Sequence, residues 1–144
     1  MRRRSKVFTS PTGKRLIRRP SGIAGWGIYA GQAITKNSRI IHYAGQKISH
    51  AESHEREERQ VARGRIWCFT VHNRAVRDAS VGGNEARWVN HACEPNCYIE
   101  IDGDVIWIRA AKNIRTGQEL SYNYNTDGGA GIPCRCQPGC TYEL

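Results

Sequence analysis

The alternation of apolar and polar residues predicts short β-strands along most of the chain. The clearest run is YIEIDGDVIWIRA, residues 98–110, which alternates on both sides of an Asp-Gly step. An Asp-Gly pair between two such runs is typical of a β-hairpin. Strand patterns also occur in RIIHYAGQKI, IWCFTV and ELSYNYN, and after the glycine-rich start of SGIAGWGIYAGQAI. We expect a mainly β protein that lacks the strand-helix alternation of a Rossmann domain.

One helix is predicted on the surface. The sequence Ser49-His-Ala-Glu52 fits a capping box, in which the serine side chain accepts a hydrogen bond from a backbone N–H of the first helical turn. The helix is expected to continue to about Arg63, with Gly64 as its end. Its apolar stripe is thin and consists of Ala51, Val61 and Ala62. A stripe this narrow buries little surface against a core.

The positive charge is concentrated at the amino end. The net charge is +9, and the first 19 residues hold eight of the 22 Lys and Arg residues and no acid. We therefore interpret residues 1–13 as a basic arm, which either contacts nucleic acid without sequence preference or stays solvated.

A length of 144 residues fits one domain. No apolar run could cross a bilayer and MRRRSK is not followed by a signal-peptide core, so we expect an intracellular protein.

The loop RWVNHACEPNC, residues 87–97, places an Asn-His pair and two thiols within eleven residues. Its Glu-Pro step interrupts helices and strands, and loops of this kind often hold a site. Taken singly, the nearby motifs have ordinary explanations. Gly25-Trp26-Gly27 fits a tight turn, Asn90 and His91 fit a structural hydrogen-bonded pair, and the two tyrosines of ELSYNY fit core packing on one strand face.

Three of the six cysteines stand together in CRCQPGC, residues 134–140. In a reducing compartment, clustered thiols bind metal more often than they form disulfides. A tetrahedral zinc needs four ligands, so the fourth would be Cys93 or Cys97. The alternative is one disulfide and a loose thiol. Zinc would attach the tail to the loop that carries the Asn-His pair.

Together these motifs resemble a SET-domain protein-lysine methyltransferase with a post-SET zinc-binding segment. GWG, HYAG, RWVNHACEPNC, ELSYNY and the terminal cysteines occur in the order and spacing of that family, over about residues 14–140. The resemblance implies a SET domain at 14–126 and a zinc segment at 127–144. It also implies a mainly β fold of several small curved sheets with one or two short helices, in which the NHxC loop and the ELxYxY strand form a pseudoknot. No cysteine-rich segment precedes the domain, which suggests a minimal form.

The resemblance further implies two ligand sites. The residues it assigns to the pocket for S-adenosylmethionine are Gly25, Trp26, Gly27, Trp67, Arg87, Asn90 and His91. In the family the cysteine of NHxC joins the three tail thiols around zinc, which selects Cys93 and leaves Cys97 and Cys68 as ordinary buried thiols. The implied zinc ligands are therefore Cys93, Cys134, Cys136 and Cys140.

The catalytic assignments also come from the resemblance. Tyr124 matches the catalytic tyrosine beside the transferring methyl group, and Tyr43 matches a second tyrosine of the lysine channel. Tyr122 falls at the aromatic position that limits how many methyl groups the lysine receives, so we expect mainly monomethylation. Transfer from a sulfonium to an amine is an in-line displacement that depends on positioning. An apolar channel and the adjacent sulfonium both disfavour the ammonium form of lysine, so no carboxylate base is required.

Four features depart from the family pattern. Ala92 replaces the usual serine and Asn123 the usual aspartate, while His42 and Gln46 flank YxG where acids are frequent. The last cysteines have CxCx3C spacing, where CxCx4C is usual, which affects the expected zinc geometry. None of the four removes a residue assigned to the reaction.

We expect the substrate to be a histone or histone-like basic tail, because the family favours it. The protein would then be nuclear or chromosomal in a eukaryote and cytoplasmic in a bacterium. One alternative is a catalytically silent module that holds chromatin or nucleic acid, and another is a lysine methyltransferase of a non-histone protein. Tyr124, Asn90 and His91 argue against the silent module, which would need none of the three. The acids of helix region 49–64 either attract a basic peptide or are merely solvated.

Overall fold

Residues 4–144 are described by a computed structural model, and within that range the chain forms short strands in four small sheets. The strands are β1 (Lys6–Thr9), β2 (Arg15–Pro20), β3 (Trp26–Ala30), β4 (Arg39–His42), β5 (Gln46–Ile48), β6 (Cys68–His72), β7 (Ala75–Asp78), β8 (Asn90–His91), β9 (Cys97–Asp102), β10 (Val105–Ala110) and β11 (Ser121–Tyr122). The helices are α1 (His50–Val61) and one 3-10 turn, Glu85–Trp88. The predicted mainly β fold is confirmed.

The sheets have the orders β1-β2-β3, β4-β10-β9, β5-β7-β6 and β8-β11. β9 and β10 form the predicted antiparallel hairpin, and Gly103 at its turn has a φ of 60°, which glycine adopts without strain. β8 and β11 pair in parallel, so the NHxC loop and the ELSYNY segment lie side by side as expected. β11 is shorter than predicted because its partner β8 has only two residues before the chain turns away.

The amino-terminal segment is more ordered than the basic-arm prediction for residues 1–13. β1 pairs with β2 along its whole length, and β2 pairs with β3. Phe8 packs against the core, and Leu16 is fully buried. Basic side chains of β1 and β2 lie against aromatic rings and acids. For example, Cζ of Arg18 lies 4.9 Å from the ring centroid of Trp26. Strand pairing therefore replaces a free arm from β1 onward, and the first three residues of the predicted arm lie outside the described range.

Helix α1 begins as predicted and ends slightly earlier. The Ser49 side chain accepts a hydrogen bond from the backbone N–H of Glu52 at 3.2 Å, which confirms the cap. The last helical residue is Val61, two residues before the expected end. Gly64 follows with a φ of 72°, a left-handed conformation that suits the turn out of the helix.

The buried face of α1 is polar, which corrects the predicted apolar stripe. Both alanines of that stripe are exposed, whereas Ser53 and Gln60 are buried. Gln60 donates to the Asp78 carboxylate at 2.9 Å, and Arg56 donates to the same carboxylate at 3.0 Å. Asp78 is fully buried at the end of β7. The helix is thus attached to the sheet β5-β7-β6 by hydrogen bonds to one carboxylate.

The main core lies between the sheets, and isoleucine is its most frequent residue. Ile28 of β3, Ile40 of β4 and Ile108 of β10 are completely buried in one cluster with Leu120. The same cluster includes Tyr122, so the ELSYNY segment is anchored from beneath. No helix within residues 4–144 is long and apolar enough to span a membrane.

Candidate active site

Four thiols converge where the tail meets the NHxC loop. They belong to Cys93, Cys134, Cys136 and Cys140, and their sulfurs all lie within 4.8 Å of one another. Cys93 Sγ is 3.9 Å from the sulfurs of both Cys134 and Cys140. Zinc–sulfur bonds of about 2.3 Å in a tetrahedron separate sulfurs by about 3.8 Å, whereas a disulfide needs about 2.05 Å. The free thiols therefore fit a tetrahedral zinc, even with the short CxCx3C spacing.

Cys97 lies apart from these four thiols. It is buried in the main core, and burial raises the pKa of its thiol to about 12. Cys68 is also buried, and burial raises its pKa to about 12 as well. Both behave as the ordinary buried thiols that were expected. The structure thus brings Cys93 to the tail and keeps Cys97 away from it.

The tail folds back on itself beside the loop. Cys134 N–H donates to the carbonyl of Tyr142 at 2.8 Å, and Leu144 N–H donates to the carbonyl of Ile132 at 2.8 Å. The Tyr142 ring stacks on His91 with centroids 5.5 Å apart and planes 14° apart. Apart from one isolated bridge, residues 127–144 contain no strand or helix. Backbone hydrogen bonds, the stacking of Tyr142 on His91 and the clustered thiols are therefore the main contacts of this segment.

A cavity with a volume of about 340 Å³, the first cavity, lies between the glycine turn, the NHxC loop and the tail. Six of the seven residues predicted to bind the cofactor line it, namely Gly25, Trp26, Trp67, Arg87, Asn90 and His91. The tail supplies the opposite wall through Ile132, Pro133, Cys134 and Arg135. Most of the predicted cofactor residues therefore line one cavity, which folding assembles from segments that are distant in sequence.

Gly27 is the exception, because it lies behind this cavity in β3 and is buried. A Cβ at Gly27 would approach Glu119 Oε2 to 2.5 Å, so a larger residue there would displace the Glu119 carboxylate. Glu119 also accepts hydrogen bonds from the Ser21 hydroxyl at 2.5 Å and the Asn90 amide at 3.2 Å. Sequence reasoning missed Glu119; its only signal was an acid placed directly before a buried strand.

Asn90 holds the glycine turn. Its amide nitrogen donates to the carbonyls of Ala24 at 3.0 Å and Trp26 at 2.9 Å, and to the Ser21 hydroxyl at 3.0 Å. These partners lie more than 60 residues away in sequence. Asn90 thus has a structural role in hydrogen bonding, and through that role it holds one wall of the first cavity in place.

Trp88 was also missed by sequence reasoning. It lines the first cavity beside Arg87, and its ring meets Trp67 edge to face at 5.4 Å. The indole Nε1 of Trp88 and the Nε of Arg87 are buried and have no acceptor among residues 4–144. Buried donors are normally satisfied. Two unsatisfied donors lining one cavity fit a ligand that carries an anionic group or another acceptor, as the carboxylate of S-adenosylmethionine would.

Tyr124 and Ile66 line both this cavity and a second one. The Tyr124 hydroxyl donates to the carbonyl of Val89 at 2.6 Å, and its backbone N–H donates to His91 Nδ1 at 3.0 Å. Burial raises the pKa of Tyr124, so the phenol stays protonated. Burial lowers the pKa of His91, which keeps its ring neutral. Because Nδ1 accepts, the ring proton sits on Nε2, 3.6 Å from Cys93 Sγ.

The second cavity has a volume of about 350 Å³ and an aromatic floor. The Phe69 ring lies 5.1 Å from Tyr43, 5.9 Å from Tyr122 and 5.1 Å from Tyr124. The Tyr43 hydroxyl donates to the carbonyl of Trp67 at 2.7 Å. Within residues 4–144 the Tyr122 hydroxyl makes no hydrogen bond. Burial raises the pKa of both Tyr43 and Tyr122, so the cavity has neutral hydroxyls and no base.

Of the residues that depart from the family pattern, only Asn123 lines one of the two cavities. Asn123 is exposed at the edge of the second cavity, where its side chain accepts from the backbone N–H of Asn125 at 2.8 Å. The His42 ring packs on Trp107. Gln46 accepts from a guanidinium of α1. These residues stabilise loops and strands, so the departures leave the two cavities intact.

The SET domain family model matches residues 25–125. Among curated proteins, the chain is 40% identical over 129 residues to "Histone-lysine N-methyltransferase trr" of Drosophila melanogaster, and 37% identical over 131 residues to "Histone-lysine N-methyltransferase, H3 lysine-4 specific" of Kluyveromyces lactis. It is 36% identical over 124 residues to "Histone-lysine N-methyltransferase 2D" of Homo sapiens. These matches cover 83%, 83% and 81% of this chain but only 5%, 13% and 2% of the relatives.

Proposed function

The chain belongs to the SET-domain family, and from this premise we propose that it is an S-adenosylmethionine-dependent protein-lysine N-methyltransferase. One observation carries the proposal. Tyr124 lines two cavities, of which one contains the predicted cofactor residues and the other is aromatic and uncharged. A transfer between two molecules requires donor and acceptor to meet in line, and cavities that share a wall residue allow this.

The first cavity suits the donor. When bound, S-adenosylmethionine supplies a methyl group on a positively charged sulfur. The Arg87 guanidinium and the Trp88 indole offer unsatisfied donors to its carboxylate, and the Trp67 ring offers an aromatic face. Asn90 holds the glycine turn against this space. These residues bind and orient the donor and exclude water on one side.

The second cavity suits a neutral lysine. Removal from water in this uncharged cavity disfavours an ammonium group, so the lysine pKa falls from about 10.4 and the proton can leave to water before attack. The hydroxyl protons of Tyr43 and Tyr124 are committed to backbone carbonyls. Their oxygen lone pairs remain for weak C–H···O contacts with a methyl group. The tyrosines thus position the reacting groups and do not act as bases.

The number of methyl groups that the lysine can receive depends on Tyr122. Its hydroxyl has no hydrogen-bonding partner among residues 4–144, so it can bind the substrate amine or an ordered water. The same hydroxyl takes space that a phenylalanine would leave open. We infer mainly monomethylation.

Zinc would be held by the four clustered cysteines and would supply a structural link rather than a step of the reaction. That link keeps Cys134 and its neighbours in the wall of the first cavity.

The names of the relatives favour a histone or histone-like tail as substrate. We propose the nucleus or chromosome as the location in a eukaryote, and the cytoplasm in a bacterium. Nucleic-acid contact through the basic amino end is a further proposal.

The test is transfer of labelled methyl groups from S-adenosylmethionine to core histones and to a whole lysate, with the modified lysine located by mass spectrometry. We expect transfer by the zinc-loaded protein and a rate about 100-fold lower in Tyr124→Phe, since misplacement of the reacting groups costs on this order. Tyr98→Phe is the matched control, because Tyr98 is an exposed tyrosine on β9. Absent transfer together with absent calorimetric binding of S-adenosylhomocysteine would favour the silent binding module.

A further inference from the structure

The second cavity extends beyond its aromatic floor onto an apolar shelf. The shelf is formed by Ile99 and Ile101 of β9 and Ile106 of β10, which all line the cavity. Ile99 and Ile101 are two residues apart on one strand and therefore face the same side. Ile106 is buried, but Ile101 is 45% exposed. An isoleucine this exposed beside a cavity offers surface that a bound side chain can cover.

Two unpaired strand edges border the same cavity. β6 ends the sheet β5-β7-β6, and β9 ends the sheet β4-β10-β9. The cavity is lined by Cys68, Phe69 and Thr70 from β6 and by Ile99 and Ile101 from β9. Edge strands present free backbone groups to which an extended segment can add. The geometry therefore suits a peptide in an extended conformation.

Among the described residues, neither the cavity lining nor the β9–β10 hairpin that carries the shelf presents an unpaired charge. No charged residue among 4–144 lines the cavity, and its polar members are neutral, such as Thr70, Asn123 and Asn125. The nearby acids are already paired. Glu100 contacts two arginines at 2.8 and 2.6 Å, and Asp104 contacts a lysine and a histidine at 3.0 Å each. A basic side chain on the shelf would lose water without gaining a carboxylate.

We infer that the substrate segment carries an apolar residue two positions from the target lysine, and that Ile101 selects it. This inference rests on the proposed function. In an extended chain, residues two apart point to the same side and lie about 7 Å from each other. With the lysine among the aromatic rings, the side chain two positions away covers the isoleucine shelf. Leucine, isoleucine, valine or methionine fits there, whereas arginine, lysine, aspartate or glutamate does not.

The experiment uses peptides with one lysine in an uncharged serine and glycine background. Each position from three before to three after the lysine is replaced in turn by Leu, Ser, Arg or Glu, and kcat/KM of methyl transfer is measured. The zinc-loaded protein should prefer Leu over Arg by about tenfold at one position two residues from the lysine, because covering a half-exposed side chain discriminates on this order. Other positions should vary much less.

Two variants assign the preference to the shelf. Ile101→Glu places a carboxylate beside the cavity, so the preferred residue at the same position should change from Leu to Arg. Val105→Glu is the matched control, since Val105 is an exposed apolar residue of the same hairpin that does not line the cavity. Thermal unfolding followed by circular dichroism checks that both variants fold.

Each outcome decides the matter. A flat profile two residues from the lysine, or a preference for Arg there, would overturn the inference while lysine methylation itself stood. An unchanged Leu preference in Ile101→Glu would remove Ile101 as the selecting residue. Failure to methylate every peptide and every histone, without binding of S-adenosylhomocysteine, would overturn the proposed function and this inference together.

Discussion

The two cavities that meet at Tyr124 are built in different ways. The second is walled by strands β6, β9 and β10, whose backbone hydrogen bonds and buried isoleucines form with the rest of the core. The first has one wall from the tail, residues 127–144, which has almost no regular structure and brings three free thiols close to that of Cys93. A wall without its own core depends on its ligand to fold. The lysine side should therefore survive conditions that destroy the cofactor side.

The cavities also differ in charge. The first contains Arg63, Arg65 and Arg87 together with unsatisfied donors, whereas the second contains neutral groups only. The first suits a ligand with a carboxylate, and the second suits an amine that has lost its proton. The proposed reaction thus requires opposite environments on either side of the wall that Tyr124 and Ile66 share.

Removal of zinc should have the largest effect. We expect a chelator to lower methyl transfer by at least about 100-fold and to abolish binding of S-adenosylhomocysteine, because the tail wall is lost. Far-UV circular dichroism should change little, since the sheets remain. Cys136→Ser should act in the same way, whereas Cys97→Ala should keep its zinc in metal analysis. An active, stably folded protein without metal would contradict this difference between the cavities.

Loss of the buried carboxylate at Asp78 should destabilise the strand-built side. Asp78→Asn removes the buried charge that accepts hydrogen bonds from Ser80, Arg56 and Gln60, and we expect a decrease of about 2–3 kcal/mol in the free energy of unfolding. Glu52→Gln is the control, because Glu52 pairs with the same arginine but is about half exposed and should cost under about 1 kcal/mol. Urea unfolding at pH 7 measures both. Equal losses would contradict the assignment.

The same carboxylate predicts a pH dependence. Burial by itself raises the pKa of Asp78, but hydrogen bonds from Ser80, Arg56 and Gln60 outweigh burial and lower it. A lowered pKa means that its stabilisation is fully present above the unfolded value of about 3.9 and is lost as pH falls through the folded value. Wild-type stability should therefore drop below about pH 4, and Asp78→Asn should drop less over the same range.

Tyr122→Phe should have the smallest effect on rate and a clear effect on product. Removing a hydroxyl that bonds to no described residue should leave kcat within about threefold, because no protein contact is broken. The space released should raise the share of dimethyl and trimethyl lysine, measured by mass spectrometry. Tyr98→Phe again serves as the control. An unchanged product distribution would rule out Tyr122 as the residue that limits methylation.

Local patterns predicted the elements that depend on neighbours in sequence. The hairpin of β9 and β10 follows from alternation around an Asp-Gly step, and the start of α1 follows from the Ser49 cap. Strand β1 was missed because it closely follows the arginines at 2–4 and begins at Lys6, a basic run that resembles a solvated arm, and only pairing with β2 shows that Phe8 is packed. The polar face of α1 was missed for a similar reason, since its partner Asp78 lies on a different element.

The sequence by itself determined the family motifs, the order of the strands and the residue types that can bind zinc and a sulfonium donor. These properties depend on residues close together in sequence, so they can be recognised without coordinates. The tertiary structure decided which groups meet: Glu119 with Ser21 and Asn90, the tail thiols with Cys93, and Trp88 with an open cavity. Such contacts join residues up to 98 positions apart. No local pattern encodes them, because their stability depends on the burial of both partners at once.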